Sequence, residues 1–150
     1  MEITEALQQL RVKDNKVAYQ ALEYLEQASQ RDDHIYQHFA ELTSLLDHPQ
    51  SYVRTRGLLL IAANIQWDAQ GQFDAIVDTY CQHVLDAKAI TARQCLQSLC
   101  RIIPHKPQLQ PLFAKVLQEA DFSGYADSMR PLLEKDRAAA LALLDRTADH

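Results

Sequence analysis

The sequence predicts an all-α fold in which about four antiparallel helix pairs stack into an α-α superhelix. Ala, Leu and Gln supply 20, 21 and 16 of the 150 residues, whereas the β-branched residues Val and Ile together supply only 14. Straight-chain side chains keep their rotamer freedom in a helix, and β-branched side chains lose it. The 3 Gly and 5 Pro residues are too few for the turns of a β-sandwich or barrel. A length of 150 residues is typical of one domain, which we expect to span residues 1–150.

The spacing of apolar residues predicts eight helices joined by short turns. Short connections require successive helices to lie antiparallel against each other. The predicted helices cover residues 2–11, 14–30, 32–47, 49–66, 70–86, 88–104, 107–120 and 126–145.

Several helix starts are predicted from local capping residues. Asp14 is placed to cap the second helix, and Asp32 or Asp33 the third, because a carboxylate there accepts a hydrogen bond from an unpaired N–H of the first turn. His48 closes the third helix, and Pro49 is expected near the first position of the fourth, where a missing N–H costs nothing. The later breaks contain Gly or Pro and lie at residues 67–71, 104–107 and 123–124.

The fourth and sixth helices differ in where their apolar residues fall. Residues 53–65 are apolar around the whole circumference of the helix, so the fourth helix is predicted to be buried on all sides and central to the domain. The sixth helix has a single apolar face. Its members are Ala92, Cys95, Leu96, Leu99, Ile102 and Ile103.

An internal repeat links these two helices. Aligning residues 90–102 with residues 53–65 requires a shift of 37 positions and keeps apolar phase, helix boundaries and loop positions in agreement. The shift places Arg93 on Arg56, and the same step again reaches Arg130. Four helix pairs at this period are typical of an α-solenoid, in which each pair buries its face against its neighbours.

The turn between the third and fourth helices resembles a HEAT repeat. Residues 45–54 read Leu-Leu-Asp-His-Pro-Gln-Ser-Tyr-Val-Arg and are followed by an apolar helix. In a HEAT repeat the first helix ends in leucines and an acidic turn with proline, and the second opens with Val-Arg. Arg54 takes the position of the repeat's arginine, while His48 stands where an aspartate is usual. The resemblance implies a HEAT-like solenoid.

Residues 53–136 also resemble a group of small bacterial proteins labelled SufBD proteins, of the HEAT-repeat type. That name comes from iron–sulfur cluster assembly, and the scaffold proteins that carry it look like β-helices. We therefore take only the helical fold from this resemblance and leave the pathway open. The matching motifs are Val53-Arg54-Thr55-Arg56-Gly57, Ala62-Ala63-Asn64, Trp67-Asp68, Ile90-Thr91-Ala92-Arg93-Gln94-Cys95 and Asp127-Ser128-Met129-Arg130-Pro131-Leu132.

Charge is distributed unevenly along the chain. The net charge is −5, and an acidic domain lacks the broad basic surface of a nucleic-acid-binding protein. Residues 48–106, however, carry six basic and four acidic residues. This locally basic middle is a weak indication of a site.

The cysteines and the uncharged stretches predict a cytoplasmic protein without a membrane partner. The three cysteines are odd in number and form no C-x-x-C pair, which favours reduced, structural thiols. The start of the chain has no basic segment followed by an apolar one, so no secretory signal is predicted. The longest uncharged run, Gly57–Trp67, is eleven residues, about half the length of a membrane span.

Four arginines form the main candidate site. Arg56, Arg93 and Arg130 recur at one repeat position, and Arg54 lies beside the first. A guanidinium fork suits carboxylates and phosphates, because two parallel N–H groups match two oxygens. These arginines either pair with carboxylates that end the preceding helices or line the concave face and bind an acidic partner. Those carboxylates belong to Asp47, Asp86 and Asp121.

Two further groups have a functional and a structural interpretation. His34, His38 and Glu41 fall on one side of a helix and have the chemistry of zinc or iron ligands, but a single polar helix face is the commoner interpretation, and no metal is predicted. Trp67-Asp68 resembles the aromatic–acid pairs in the clefts of DNA alkylation-repeat glycosylases. The other interpretation is that Trp67 covers the end of a buried helix.

The sequence contains no nucleotide-binding, hydrolase or metalloprotease motif. We therefore predict a non-enzymatic scaffold without cofactor that binds a protein or peptide through its concave face. The predicted groove residues are Arg54, Arg56, Trp67, Arg93 and Arg130. The alternative is a DNA-binding or DNA-repair module related to the alkylation repeats, although a nucleic-acid partner is not expected. A homodimer that buries spare apolar surface is a third alternative.

Overall fold

The computed structural model describes residues 1–148, and this part of the chain is all-helical, with eight α-helices and no strand. The predicted all-α class is therefore confirmed. The helices are α1 (Ile3–Gln9), α2 (Asn15–Arg31), α3 (Phe39–Ser44), α4 (Ser51–Ala63), α5 (Gln72–Cys81), α6 (Ala89–Ile102), α7 (Gln110–Glu119) and α8 (Arg130–Ala148). Short 3-10 turns cover Tyr36–His38, Leu45–Asp47, Ile65–Trp67, Gln82–Leu85, Ile103–His105 and Pro107–Leu109.

The chain divides into two compact units. Unit 1 spans Met1–Gln72 and unit 2 begins at Phe73. Each unit has its own core of buried aliphatic and aromatic side chains. The prediction of one domain over residues 1–150 stays a prediction.

The observed bounds of all eight helices differ from the predicted ones, and the starts of the third and the eighth differ most. The predicted helix 32–47 is a short α-helix, α3, between two 3-10 turns. The last helix begins at Arg130 rather than at residue 126. A helix from residue 126 would place Pro131 inside it, where the missing N–H loses a helical hydrogen bond, whereas a first-turn proline loses none.

The predicted caps are confirmed in part. Asp14 accepts hydrogen bonds from the backbone N–H groups of Lys16 and Val17, at 3.0 and 3.3 Å, and so caps α2. Asp32 accepts one from His34 N at 3.0 Å, but no helix begins there. Pro49 was predicted near the first position of α4 and lies two residues before it, since α4 begins at Ser51 with Gln50 as its N-cap residue.

Helix α4 occupies the core of unit 1, where it packs against α2, α3 and the 3-10 turn Leu45–Asp47. Its predicted burial is confirmed for most of the circumference, where Val53, Leu58 and Leu60 are fully buried, but the side that carries Leu59 is only half-buried. Gly57 allows α4 to lie close to the preceding turn, which begins at Leu45. A Cβ atom added there would lie 2.8 Å from the Cβ of Leu45, which is below any real contact between such atoms.

The core of unit 2 is built on α6. This helix packs against α8 and against the 3-10 turn Gln82–Leu85, and α7 packs against α8. Phe73 and Tyr80, both on α5, stack edge to face with ring centroids 5.3 Å apart. The predicted apolar face of α6 is buried along its length. It therefore supplies a large part of the core of unit 2.

A buried lysine joins the turn after α6 to the start of α5. The Nζ atom of Lys106 lies 2.8 Å from Asp74 Oδ1, and Gln108 Nε2 donates to Asp74 Oδ2 at 3.0 Å. The hydrogen bond from Lys106 is the main cause that holds the pKa of Asp74 below its ordinary value of 3.8. A carboxylate whose pKa is lowered by folding stabilises the folded state above its unfolded pKa.

This pair predicts a pH-dependent loss of stability. Asp74→Asn is expected to lower the melting temperature at neutral pH, and the gap to the wild type should hold down to about pH 5. It should close as the pH falls through the lowered pKa of Asp74, because the wild-type carboxylate is then protonated too. Thermal melts at several pH values measure this gap. Asp145→Asn, at an exposed position of α8, is the matched control, and an Asp74→Asn gap independent of pH would contradict the account.

Candidate functional site

The two arginines at the start of α4 both bond backbone carbonyls of unit 1. Arg54 Nη1 donates to the carbonyls of His48 and Pro49, at 2.9 and 3.0 Å, and so holds the turn that precedes its own helix. Arg56 Nη1 donates to the carbonyl of Leu10 at 2.8 Å. Arg54 is half-buried, while Arg56 is only 7% exposed.

Arg56 acts as a helix cap across 46 residues of sequence. Leu10 is the C-cap residue of α1, and carbonyls at that end of a helix lack an intrahelical partner. The other terminal nitrogen of Arg56 donates to Asn15 Oδ1 at 3.3 Å, and the guanidinium lies 5.0 Å from the ring centroid of Tyr52. Burial lowers the pKa of Arg56, but a guanidinium stays charged in proteins.

Trp67 bonds the C-terminal end of α2. Its Nε1 atom donates to the carbonyl of Ser29 at 2.8 Å, and Gln66 Nε2 donates to the same oxygen at 3.2 Å. Ser29 lies in the last turn of α2, where carbonyls need such partners. Trp67 is half-buried in the 3-10 turn just after α4. This position supports the interpretation of Trp67 as a cover over the helix end.

Asp68, next to Trp67, is buried and accepts hydrogen bonds from two other residues. Its Oδ1 atom accepts hydrogen bonds from the hydroxyl of Tyr36 and from Gln72 N, the latter at 2.8 Å. The second bond caps the start of α5. Burial and the bond to Asp68 raise the pKa of Tyr36 to about 12. Gly71, at φ 77°, completes the turn.

Arg93 joins α6 to α8 within unit 2. Its Nε donates to Asp136 Oδ2 at 2.8 Å and its Nη2 to Oδ1 at 3.4 Å, and Gln97 Nε2 also reaches Oδ1 at 3.4 Å. The hydrogen bond that Arg93 donates to Asp136 raises the pKa of Arg93. The predicted partner Asp86 instead accepts from Lys88 N at 2.9 Å and lies 2.8 Å from His83 Nδ1. Of the two alternatives left open by the sequence, Arg93 thus has an intrachain carboxylate partner, but this partner is Asp136 and not Asp86.

Arg130 forms an ion pair with Asp127, one turn earlier in the chain. Both side chains reach solvent, so this pair is weakly stabilising. The predicted partner of Arg130, Asp121, accepts a hydrogen bond from Ser123 N at 2.9 Å. Among the predicted residues, Arg54, Arg56 and Trp67 thus lie in unit 1 and Arg93 and Arg130 in unit 2, each with a different intrachain partner.

The histidines proposed as alternative metal ligands pair locally with carboxylates. His34 Nδ1 lies 3.2 Å from Asp32 Oδ1, and His38 Nδ1 lies 4.0 Å from Glu41 Oε2. Within residues 1–148 no group of three or more His, Cys, Asp or Glu side chains is placed to hold a metal ion.

The cysteines are free, and two of them lie in the core of unit 2. Cys81 and Cys95 are buried and Cys100 is half-buried. Burial raises the pKa of the Cys81 thiol to about 12 and also raises those of Cys95 and Cys100. All three are therefore neutral thiols at physiological pH, which are poor nucleophiles.

A groove of about 410 Å³ opens on unit 2. One wall is α7, and the other is α5 together with the 3-10 turn Gln82–Leu85. Its floor is apolar and is formed by Cys81, Val84, Leu85, Val116 and Ala120. Its rim is polar and exposed and is formed by Asp78, Gln82 and Glu119. Leu85 is 48% exposed, although it lies in a turn that packs on α6.

A second concave surface of about 300 Å³ shares Leu85 with the first. Tyr125 lines it and donates its hydroxyl hydrogen to the carbonyl of Asp86 at 2.6 Å, which ties the loop after α7 to the start of α6. Asp121, on its edge, is exposed. We call the two surfaces together the Leu85 groove. Its full lining is Asp78, Cys81, Gln82, Val84, Leu85, Asp86, Ala87, Val116, Glu119, Ala120, Asp121, Gly124 and Tyr125.

The Leu85 groove was missed at the level of sequence. Asp78, Cys81, Gln82 and Leu85 recur at the spacing of one helix face, and this is the signal that could have indicated it. The pairing of that face with α7, more than 30 residues further along the chain, is not visible in periodicity. The groove is a product of tertiary packing.

Comparison of the chain with protein-family models, with curated proteins and with solved structures finds no match. Among the helices described, none is both long and apolar enough to cross a membrane. The site's own chemistry is therefore the basis for a functional proposal. That chemistry is an apolar floor with exposed carboxylates around it.

Proposed function

We propose that the chain is a cytoplasmic, non-enzymatic HEAT-like scaffold that binds a protein or peptide partner through the Leu85 groove. The order of helices supports the repeat, with pairs α1–α2, α3–α4, α5–α6 and α7–α8 in sequence. The 3-10 turns that begin at Leu45 and Gln82 are 37 residues apart, which equals the predicted period. Such repeats present extended surfaces that bind other proteins.

The single observation that carries the binding site is Leu85. This large apolar side chain is half exposed between two concave surfaces. Apolar pockets with a few convergent polar groups are the usual form of a binding site. Two of the arginines predicted to bind the partner instead form hydrogen bonds inside the protein, since Arg56 and Arg93 bond groups within their own units. A DNA-binding surface would need those guanidiniums for phosphates.

The chemistry of the groove favours binding over catalysis. Its thiol, Cys81, has a pKa of about 12 because it is buried, so it is protonated at neutral pH. The groove's other titratable groups are carboxylates and the Tyr125 hydroxyl. Burial raises the pKa of Tyr125 above its ordinary value of 10.0. These groups supply contacts for a partner without an activated nucleophile.

This proposal predicts that Leu85→Asp abolishes partner binding in affinity capture from native lysate. A charge at the centre of an apolar contact leaves an unpaired buried carboxylate in the complex, which typically weakens binding at least tenfold. Ile90→Asp is the matched control because Ile90 is 68% exposed and lies outside the groove lining. Circular dichroism checks that both variants remain folded.

The expected result is a set of captured proteins that is lost with Leu85→Asp and kept with Ile90→Asp. If all three forms capture the same proteins, the partner binds elsewhere and the groove is not the site.

A further inference from the structure

We infer that the partner segment seated in the Leu85 groove is basic and amphipathic, with an apolar anchor side chain flanked by Lys or Arg. This inference rests on the proposed function and deepens it by naming the chemistry of the partner. It is carried by the size of the floor and by the charge of the rim.

The floor fits one or two apolar side chains. Ligand pockets in proteins typically range from about 300 to 1,000 Å³, and the larger part of the groove, at about 410 Å³, is at the low end. Cys81, Val84 and Val116 offer it methyl groups and a neutral thiol. Leu, Met or Phe is the type of anchor that such a surface accepts, because the contact is apolar and shallow.

The rim of the groove carries negative charge on both of its walls. Asp78 lies on α5 and Glu119 on α7, and Asp121 extends the row toward the second concave surface. All three carboxylates are exposed. Hydrogen bonds from Ser123, the backbone N–H first, hold the pKa of Asp121 below its ordinary value, so it is ionised at neutral pH. The lining contains no Lys or Arg.

Charge complementarity indicates that the residues on either side of the partner's apolar anchor are basic. Cations on either side of the anchor would meet a carboxylate on each wall, whereas an acidic segment would be repelled by both. Exposed pairs of this kind contribute mainly to specificity and to the rate of association. Because the contact area is small, we expect affinities on the order of micromolar for an isolated segment.

The test is a selection of random peptides of about a dozen residues on the full chain, after which the enriched peptides are assayed on the Leu85→Asp variant. Enriched peptides are expected to carry Lys or Arg on both sides of a Leu, Met or Phe. The tightest peptide is then titrated against the wild type, Leu85→Ala and the triple variant Asp78→Asn/Glu119→Gln/Asp121→Asn. All three rim substitutions are at exposed positions and conserve size.

The triple variant is expected to weaken binding roughly tenfold, since each exposed ion pair contributes a factor of about two to five and the factors are not fully additive. Added salt should weaken the wild-type complex and leave the triple variant nearly unchanged.

Different results would refute the basic character of the partner and the groove as a binding site. Peptides that need Leu85 but carry no basic excess, or that bind the triple variant as tightly as the wild type, would overturn the basic partner and leave the groove as a binding site. Peptides that bind Leu85→Ala and Leu85→Asp as tightly as the wild type would overturn the proposed function itself.

Discussion

Gly57→Leu is expected to unfold unit 1 or to lower its free energy of unfolding by more than about 3 kcal/mol. Even a Cβ atom at Gly57 would lie 2.8 Å from Leu45 Cβ and 3.4 Å from the carbonyl oxygen of Leu42. The first of these atoms is fixed to the backbone and cannot rotate away. A full leucine side chain would push α4 away from the preceding turn, which is part of the buried core.

Gly57→Ala separates this packing effect from helix propensity. Alanine at an unhindered helical position would stabilise by about 1 kcal/mol, whereas overpacking here should reverse the sign and cost about 1–2 kcal/mol net. Urea denaturation of the variants measures both effects. Gly124→Ala is the matched control, because nothing lies within 4 Å of a Cβ placed there. A stabilised Gly57→Ala variant would contradict the close approach.

Arg93→Ala is expected to lower the free energy of unfolding by about 2 kcal/mol. Asp136 is 8% exposed and would be left buried without the guanidinium that bonds both its oxygens. The Arg93 side chain is 28% exposed, so solvent screens the pair and the loss falls below that of a fully buried ion pair. Arg101→Ala, on the exposed side of the same helix, should change stability by less than about 0.5 kcal/mol.

A double-mutant cycle with Asp136→Ala isolates the pair. The double variant should lose less than the sum of the single losses, with a coupling of about 1–2 kcal/mol. Additive losses would show that Arg93 and Asp136 stabilise the protein through other contacts. They would also reopen Arg93 as a residue available to an acidic partner.

Much of the secondary structure follows from local chemistry. The cap at Asp14 and the apolar face of α6 are set by residues within one or two turns of each other, so they can be read from sequence. The failure at Pro131 is also local, because its missing N–H decides where α8 begins. The predicted helix start at residue 126 gave too little weight to that proline.

The contacts of the candidate site residues could be predicted less well, because their hydrogen-bond partners are distant in sequence. Arg56 bonds a carbonyl 46 residues away, and Arg93 bonds a carboxylate 43 residues away. Repeat spacing indicated that these arginines share a role but not which groups they contact. The spacing of Leu85 from Asp78 and Cys81 indicates a shared helix face, but the exposure of Leu85 depends on how α7 packs beside it, which periodicity does not show.

We propose that Arg56 and Arg93 hold helices together while the Leu85 groove binds the partner. The most direct test is to follow the amide NMR signals of the full chain during titration with the selected peptide. We expect shifts concentrated in residues 78–87 and 116–125, with the side-chain N–H signals of Arg56 and Arg93 unchanged. Shifts at Arg54, Arg56, Arg93 and Arg130 with an unperturbed groove would contradict it.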